Sequence, residues 1–309
     1  MDGSQICARE LQEDEGRNVY VDGGPRPSVR DLVTDRGCLR VLEVHSPIAA
    51  LVAERAAFVI GASDPPRRFD AFWSGSLADS TVNALPDIEI YSVRERLANV
   101  SRILQVASRP VILDADTGGD IEHLQITVPI VESTGVSALV MEDKVGAKRN
   151  SLVADHSVHR IAAPAQFAAK IAAAKSAQRG TAFMVFARVE SLILGLGVED
   201  ALRRAFCYVD AGADGIMIHS KDCSPAEVVM FAGRFRQVFP ALPLMAVPTT
   251  YSEITAAELF ESGFTIVVYA NHLLRASMKA MADVADSLLA HDRAMECEAR
   301  CESIGKLVE

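Results

Sequence analysis

Two hydrophobic periods alternate along most of the chain. From residue 39 to residue 290, short apolar runs are separated by longer stretches in which apolar residues recur every three to four positions. The runs at 39–44, 69–73, 111–113, 138–141, 183–189, 215–218, 244–247 and 265–269 predict eight strands. The stretches at 48–58, 90–107, 122–134, 164–178, 198–211, 225–239, 254–262 and 271–290 predict helices, and a short helix over 28–34 precedes the first strand. Thr134-Gly135-Val136, Ala211-Gly212-Ala213 and Ser262-Gly263-Phe264 each place a glycine helix stop just ahead of a strand. Strict alternation favours a parallel sheet, and eight such units is the count of a (β/α)8 TIM-type barrel, with a doubly wound open sheet as the alternative.

Three segments stand outside this rhythm. Residues 1–28 are polar, contain Gly23-Gly24-Pro25-Arg26-Pro27 and show no sustained period, which reads as a flexible or loosely docked arm. The Gly- and Pro-containing segment 61–68 interrupts any regular element. After the barrel domain at 29–290, residues 291–309 read as a charged terminal helix with apolar positions at Met295, Ile304 and Leu307. Such a helix either caps its own barrel or is exchanged with a neighbouring subunit.

Composition narrows the field. Hydrophobic residues make up 50% of the 309 and aromatics 6%, so the core is aliphatic, as in α/β proteins. A net charge of −10 argues against nucleic acid or an anionic membrane as partner. The six cysteines form no CxxC pair, and Cys297 and Cys301 have no His beside them to complete a zinc site. With no apolar leader and no run of membrane-spanning length, a soluble cytoplasmic protein is expected.

Candidate chemistry collects where the runs end. Val111-Ile112-Leu113 stops in Asp114 and Asp116, two apart, and on an extended backbone both carboxylates face the same way. Either this is a solvated turn leading into a helix, or the two carboxylates meet a hard divalent cation. The other strand ends carry Trp73-Ser74-Gly75-Ser76, Glu142, Arg188 with Glu190, and His219, with Lys148 close behind Glu142. Singly, Arg188–Glu190 could be an ion pair and His219 a core histidine. Together they give an acidic half (Asp114, Asp116, Glu142) suited to Mg²⁺ and a basic half (Lys148, Arg188, His219) suited to an oxyanion.

These residues resemble a known family. Asp114-Ala-Asp-Thr-Gly, Glu142-Asp-Lys with Lys148-Arg-Asn-Ser151, Ala187-Arg-Val-Glu190, Ala211-Gly-Ala-Asp214, Ile218-His-Ser-Lys221, Val247-Pro-Thr249 and Ala270-Asn-His272 are similar, in order, to the phosphoenolpyruvate mutase and phosphonopyruvate hydrolase branch of the isocitrate lyase superfamily. The resemblance implies a barrel, Mg²⁺, and a homotetramer in which the terminal helix passes between subunits. It implies that Asp114, Asp116 and Glu142 serve the metal, and that Ser74 and Gly75, beside Trp73 and Ser76, hold the pyruvyl group of phosphoenolpyruvate or phosphonopyruvate through their backbone. Asp87 would stand beside the reacting centre, Arg188 and His219 would grip the phosphoryl group and substrate oxygens, and Lys148 and Asn150 would lie on a lid spanning about 143–159.

The resemblance also orders the activities. Lys148-Arg149-Asn150 carries asparagine where the hydrolase has threonine, which favours the mutase, with the hydrolase as alternative. A carbon–carbon lyase fits less well, because the general-acid cysteine of a Lys-Cys-Gly-His type loop is missing. The shortened turn Asp116-Thr117-Gly118-Gly119-Asp120 leaves a non-catalytic barrel as a further alternative.

Overall fold

The eight apolar runs pair in chain order, every neighbour parallel, into one closed barrel: β1 (Leu39–Glu43), β2 (Ala71–Ser74), β3 (Val111–Asp114), β4 (Ala138–Glu142), β5 (Met184–Val189), β6 (Gly215–Ile218), β7 (Leu244–Ala246) and β8 (Ile266–Tyr269). The β1–β8 pairing, Leu39 opposite Ile266, closes the ring. This is the expected (β/α)8 architecture, seen in a computed structural model that describes residues 26–61, 65–146, 148–152 and 159–308. Most of the expected arm, residues 1–25, lies outside the described residues.

Helices follow the strands: α1 (Val29–Arg36) before β1, then α2 (Pro47–Arg55), α3 (Ser76–Val82), α4 (Val93–Val106), α5 (Ile121–Ser133), α6 (Pro164–Ala177), α7 (Gly197–Asp210), α8 (Ala226–Val238), α9 (Ala256–Glu261), α10 (His272–His291) and α11 (Ile304–Val308). Local chemistry sets their ends. Ser28 with Asp31, Ser92 with Glu95 and Thr255 with Glu258 form reciprocal capping boxes that satisfy the first free amides of α1, α4 and α9. Gly135, Gly212 and Gly263, the three glycine stops, all take φ near +100° (93°, 100° and 101°), which side chains with a Cβ rarely adopt.

Two expectations change. Ser76–Val82 is a helix that apolar periodicity does not announce, because most of its residues are small or polar. The tail is not one helix: α10 ends at Asp292 in the left-handed region, and only a 3₁₀ turn (Glu298–Arg300) and the short α11 follow. Met295, Ile304 and Leu307 are exposed. No helix among the described residues is long and apolar enough to cross a membrane.

Strand alternation builds two apolar layers. One set of alternate strand residues faces the helices (Leu113, Leu139, Val185, Ile218), and the other fills the barrel interior with Val41, Trp73, Ile112, Val140, Phe186, Val268 and three methionines, Met184, Met217 and Met245. Underneath, α1 plugs the barrel: Val29 is fully buried against the interior layer and its amide donates to Ser137 Oγ at 2.7 Å. Arg30 pairs with Asp214 at 2.7 Å, so the aspartate of the Ala-Gly-Ala-Asp motif is a structural tie at the closed end.

Candidate active site

Continuing the interior rows by one step lifts the chain from apolar to charged. Val41 leads to Glu43, Trp73 to Gly75, Ile112 to Asp114, Val140 to Glu142, Phe186 to Arg188 and Met217 to His219, all at the C-terminal rim. The residues at the ends of these rows, with Ser76, Asp87, Lys148, Asn150, Thr249 and Asn271, line one cavity. The period that fills the barrel therefore also assembles the site.

Arg188 anchors the basic side. Its Nε donates to Glu190 Oε1 and its Nη2 donates to Ser151 Oγ at 3.1 Å, while Asp114 Oδ2 and Glu142 Oε2 lie 3.6 and 3.4 Å from its Nη atoms. Glu190, although buried, is held well below the usual carboxylate range because the attraction of Arg188, above all, works against its desolvation. His219 Nδ1 lies 2.9 Å from Arg188 Nη2 and 3.0 Å from Glu190 Oε1. Burial, with the charge of Arg188, pushes the His219 pKa down, so the ring is neutral at pH 7. Arg188 is thus at once one half of an ion pair with Glu190 and part of the cavity wall.

The acidic side is unequal. Burial lifts Glu142 to about 7, while Asp114 is held below its ordinary value because Arg188, Lys148 and Arg96 together outweigh its own desolvation. Asp116 differs from expectation: β3 ends at Asp114, Asp116 turns to φ 54°, and its N–H donates to Asp114 Oδ1 at 3.1 Å. Its carboxylate therefore leaves the strand direction, accepting from Lys148 Nζ with Arg96 Nη1 3.6 Å away. Lys148 also donates to Ser76 Oγ and, at 2.6 Å, to Asp87 Oδ1, and Asn150 Nδ2 donates to Asp87 Oδ2 at 2.9 Å. Residues 148–152 roof the cavity in this way; the remainder of the expected lid, Ala147 and 153–158, lies outside the described residues.

Ser74 does not face the cavity. Its Oγ donates to Asp79 Oδ2 at 2.7 Å and its carbonyl accepts from Arg96 Nη2 at 3.0 Å, so the serine side chain packs into the wall between β2 and α4. Gly75 and Ser76, at the start of α3, form the cavity edge instead. Lys144, of the Glu142-Asp-Lys run, ties the roof down by its Nζ donating to Ser151 Oγ (2.7 Å) and Arg149 O (2.9 Å). Two groups escaped sequence reasoning: Glu43, which ends β1, and Arg96, which is fully buried and braces the rim by donating to Asp79 Oδ2 and Asp114 O. The inward parity of Leu39, Val41 and Glu43 could have revealed the first. Nothing local marks the second.

Among the described residues, no three His, Cys, Asp or Glu side chains converge as a ready metal cage. The donor set nonetheless fits Mg²⁺, which takes oxygen ligands, keeps several waters and needs one or two carboxylates. Glu142 Oε1 is buried and accepts no hydrogen bond, although Lys144 Nζ lies 3.2 Å from it.

Relatives bear on the family. The chain is 35% identical over 271 residues to phosphonopyruvate hydrolase of Variovorax sp., covering 87% of this chain and 88% of the relative. It is 33% identical over 264 residues to phosphoenolpyruvate phosphomutase of Streptomyces viridochromogenes, covering 85% and 79%. A crystal structure of phosphoenolpyruvate phosphomutase from Streptomyces platensis superposes with a TM-score of 0.82 at 36% identity, covering 90% of this chain and 92% of that one. Phosphonopyruvate hydrolase in complex with oxalate and Mg²⁺ superposes with a TM-score of 0.77 at 33% identity, covering 90% and 91%. The family described as phosphoenolpyruvate phosphomutase matches residues 29–289. Barrel, rim and relatives agree, and the chain belongs to the phosphoenolpyruvate phosphomutase family of enzymes, within the isocitrate lyase superfamily.

Proposed function

We propose that the protein is a mutase that interconverts phosphoenolpyruvate and phosphonopyruvate, moving a phosphoryl group between the enol oxygen and the methylene carbon. Hydrolase and mutase relatives lie at nearly equal identity, 35% and 33%, so overall similarity does not separate them. The observation that carries the reading is Asn150. It roofs the cavity with its amide nitrogen bonded to Asp87, beside Lys148, where the hydrolase resemblance calls for threonine.

The chemistry follows from charge. A loose phosphoryl group in transfer spreads negative charge over three oxygens, and fixed donors in a water-poor site stabilise it without reorganisation. Arg188 supplies guanidinium N–H groups. His219, neutral, stands beside it with Nδ1 between Arg188 Nη2 and Glu190 Oε1, and its ring lines the cavity where the phosphoryl oxygens would lie. Asn150 supplies amide hydrogens, and residues 148–152 lie over the cavity, where water would otherwise intercept the group. Asp114, Asp116 and Glu142 would hold Mg²⁺, directly or through water, and the ion would offset charge on the enolate oxygen.

The test is phosphorus magnetic resonance of purified protein with phosphonopyruvate and Mg²⁺. Growth of phosphoenolpyruvate supports the mutase, growth of inorganic phosphate with pyruvate supports the hydrolase, and an unchanged spectrum refutes both. We further propose a cytoplasmic homotetramer in which the terminal segment is exchanged between subunits. In support, α10 leaves Met278, Met281 and Leu289 exposed, an apolar face suited to a second copy. Light scattering should give four times the chain mass; a monomer would refute the assembly.

A further inference from the structure

Glu43 is 4% exposed and lines the cavity from β1, four strands around the ring from Arg188 on β5, and so across the barrel from it. Its Oε2 accepts the backbone N–H of Asn271, a non-glycine residue held at φ 58° in the turn between β8 and α10. Its Oε1 lies over Gly75: a Cβ at that position would run into the oxygen and would sit 2.8 Å from Trp73 Nε1. The carboxyl thus fills the gap between β1, the β2–α3 turn and the β8–α10 turn. The charged groups around it are Asp79 of α3 and Asp114 of β3, which repel a second carboxylate, and Arg96 of α4, which is bonded to Asp79. Asn271, Gly75 and Trp73 are neutral.

An ionised Glu43 would be costly in this place, and so would an anionic substrate end brought against it. Burial above all pushes the carboxyl up to about 8, which leaves it protonated, and therefore a donor, at neutral pH. If Arg188 and His219 take the phosphoryl end, the opposite end of a three-carbon oxo-acid lies toward β1 and β2.

We propose that Glu43 is a specificity-determining residue whose carboxyl O–H, poised between the Asn271 amide and Gly75, donates a hydrogen bond to the carboxylate of the pyruvyl group. The proton stays on Glu43, and no bond is broken. The inference rests on the pyruvyl-phosphoryl reading of the site and deepens it.

Calorimetry of oxalate binding in the presence of Mg²⁺ from pH 6.5 to 9.5, in buffers of two ionisation enthalpies, tests it without turnover. Oxalate is fully ionised throughout this range. For the wild-type protein, affinity should fall about tenfold per pH unit above pH 8, with uptake approaching one proton per oxalate. Glu43→Gln, which keeps an N–H donor, should bind within a few-fold of wild type at pH 7 and lose both the alkaline fall and the proton uptake. Equal pH profiles and proton counts in the two proteins would overturn the role of Glu43 alone. Absence of proton uptake above pH 8 in the wild-type protein would do so without any variant. If neither protein binds oxalate, the pyruvyl reading falls and this inference falls with it.

Discussion

Arg96 offers a test of how the rim is held that is independent of any activity. The guanidinium is fully buried and donates to Asp79 Oδ2 at 2.8 Å, Asp114 O at 2.6 Å and Ser74 O at 3.0 Å. Arg96→Met keeps much of the volume but strands a buried aspartate and two rim carbonyls. Removing one partner of a buried ion pair costs about 3–5 kcal/mol, chiefly because the other charge is left uncompensated. Urea unfolding followed by the fluorescence of Trp73, one β-strand bond from this network, should therefore show a loss of about 4 kcal/mol. Asp79→Leu removes the stranded charge, so the double variant should be more stable than the sum of the singles predicts, with a coupling of about 2–3 kcal/mol. A loss below about 1 kcal/mol, the scale of an exposed pair, or strictly additive single effects, would refute the reasoning that Arg96 is the brace.

Three further outcomes follow from the site. Asn150→Thr should raise phosphate release relative to phosphoryl transfer by about tenfold, the rate equivalent of one lost hydrogen bond; an unchanged product ratio would remove the roof as selector. Asp114→Ala should weaken Mg²⁺ binding by about tenfold or more in titration calorimetry while circular dichroism stays native, and unaltered affinity would refute the ligand assignment. Glu190→Gln should lower stability at pH 7 by leaving Arg188 without its closest anion. Because Glu190 is held well below its ordinary 4.5, its contribution is complete above that value and is lost as pH falls through the folded pKa. The variant should therefore show a shallower loss of stability below pH 4.5, and a parallel acid limb would sink this sign.

Much of the fold was legible because each element is locally consistent. Capping boxes at Ser28, Ser92 and Thr255 mark helix starts, and the glycine stops at 135, 212 and 263 sit where positive φ is needed. The rim residues on β3 to β6 were legible because a charged side chain at the end of an apolar run stands out. Glu43 did not stand out, since the apolar run continues past it to Val44. Asp79 and Arg96 are 17 residues apart and meet only in space, so no spacing rule reaches them. Asp116 leaves the strand direction because the extended backbone ends at Asp114, and a positive φ at an aspartate has no reliable local signature. The tail's charges and spaced apolar positions read as a single helix, yet Asp292 breaks the backbone first.

The floor beneath these groups has its own consequence. Met184, Met217 and Met245 are unbranched thioethers with several low-energy shapes; Met217 lines the cavity one step below His219, Met245 of β7 pairs with Met217, and Met184 sits deeper, beneath Phe186. A layer of that kind yields to a bulkier or smaller neighbour above it at little energetic cost. Laboratory selection for other oxo-acid anions should therefore accumulate replacements on the strand-end loops while the methionine layer stays unchanged, its adaptability doing the refitting that a Leu- or Ile-filled barrel would need compensating mutations to achieve.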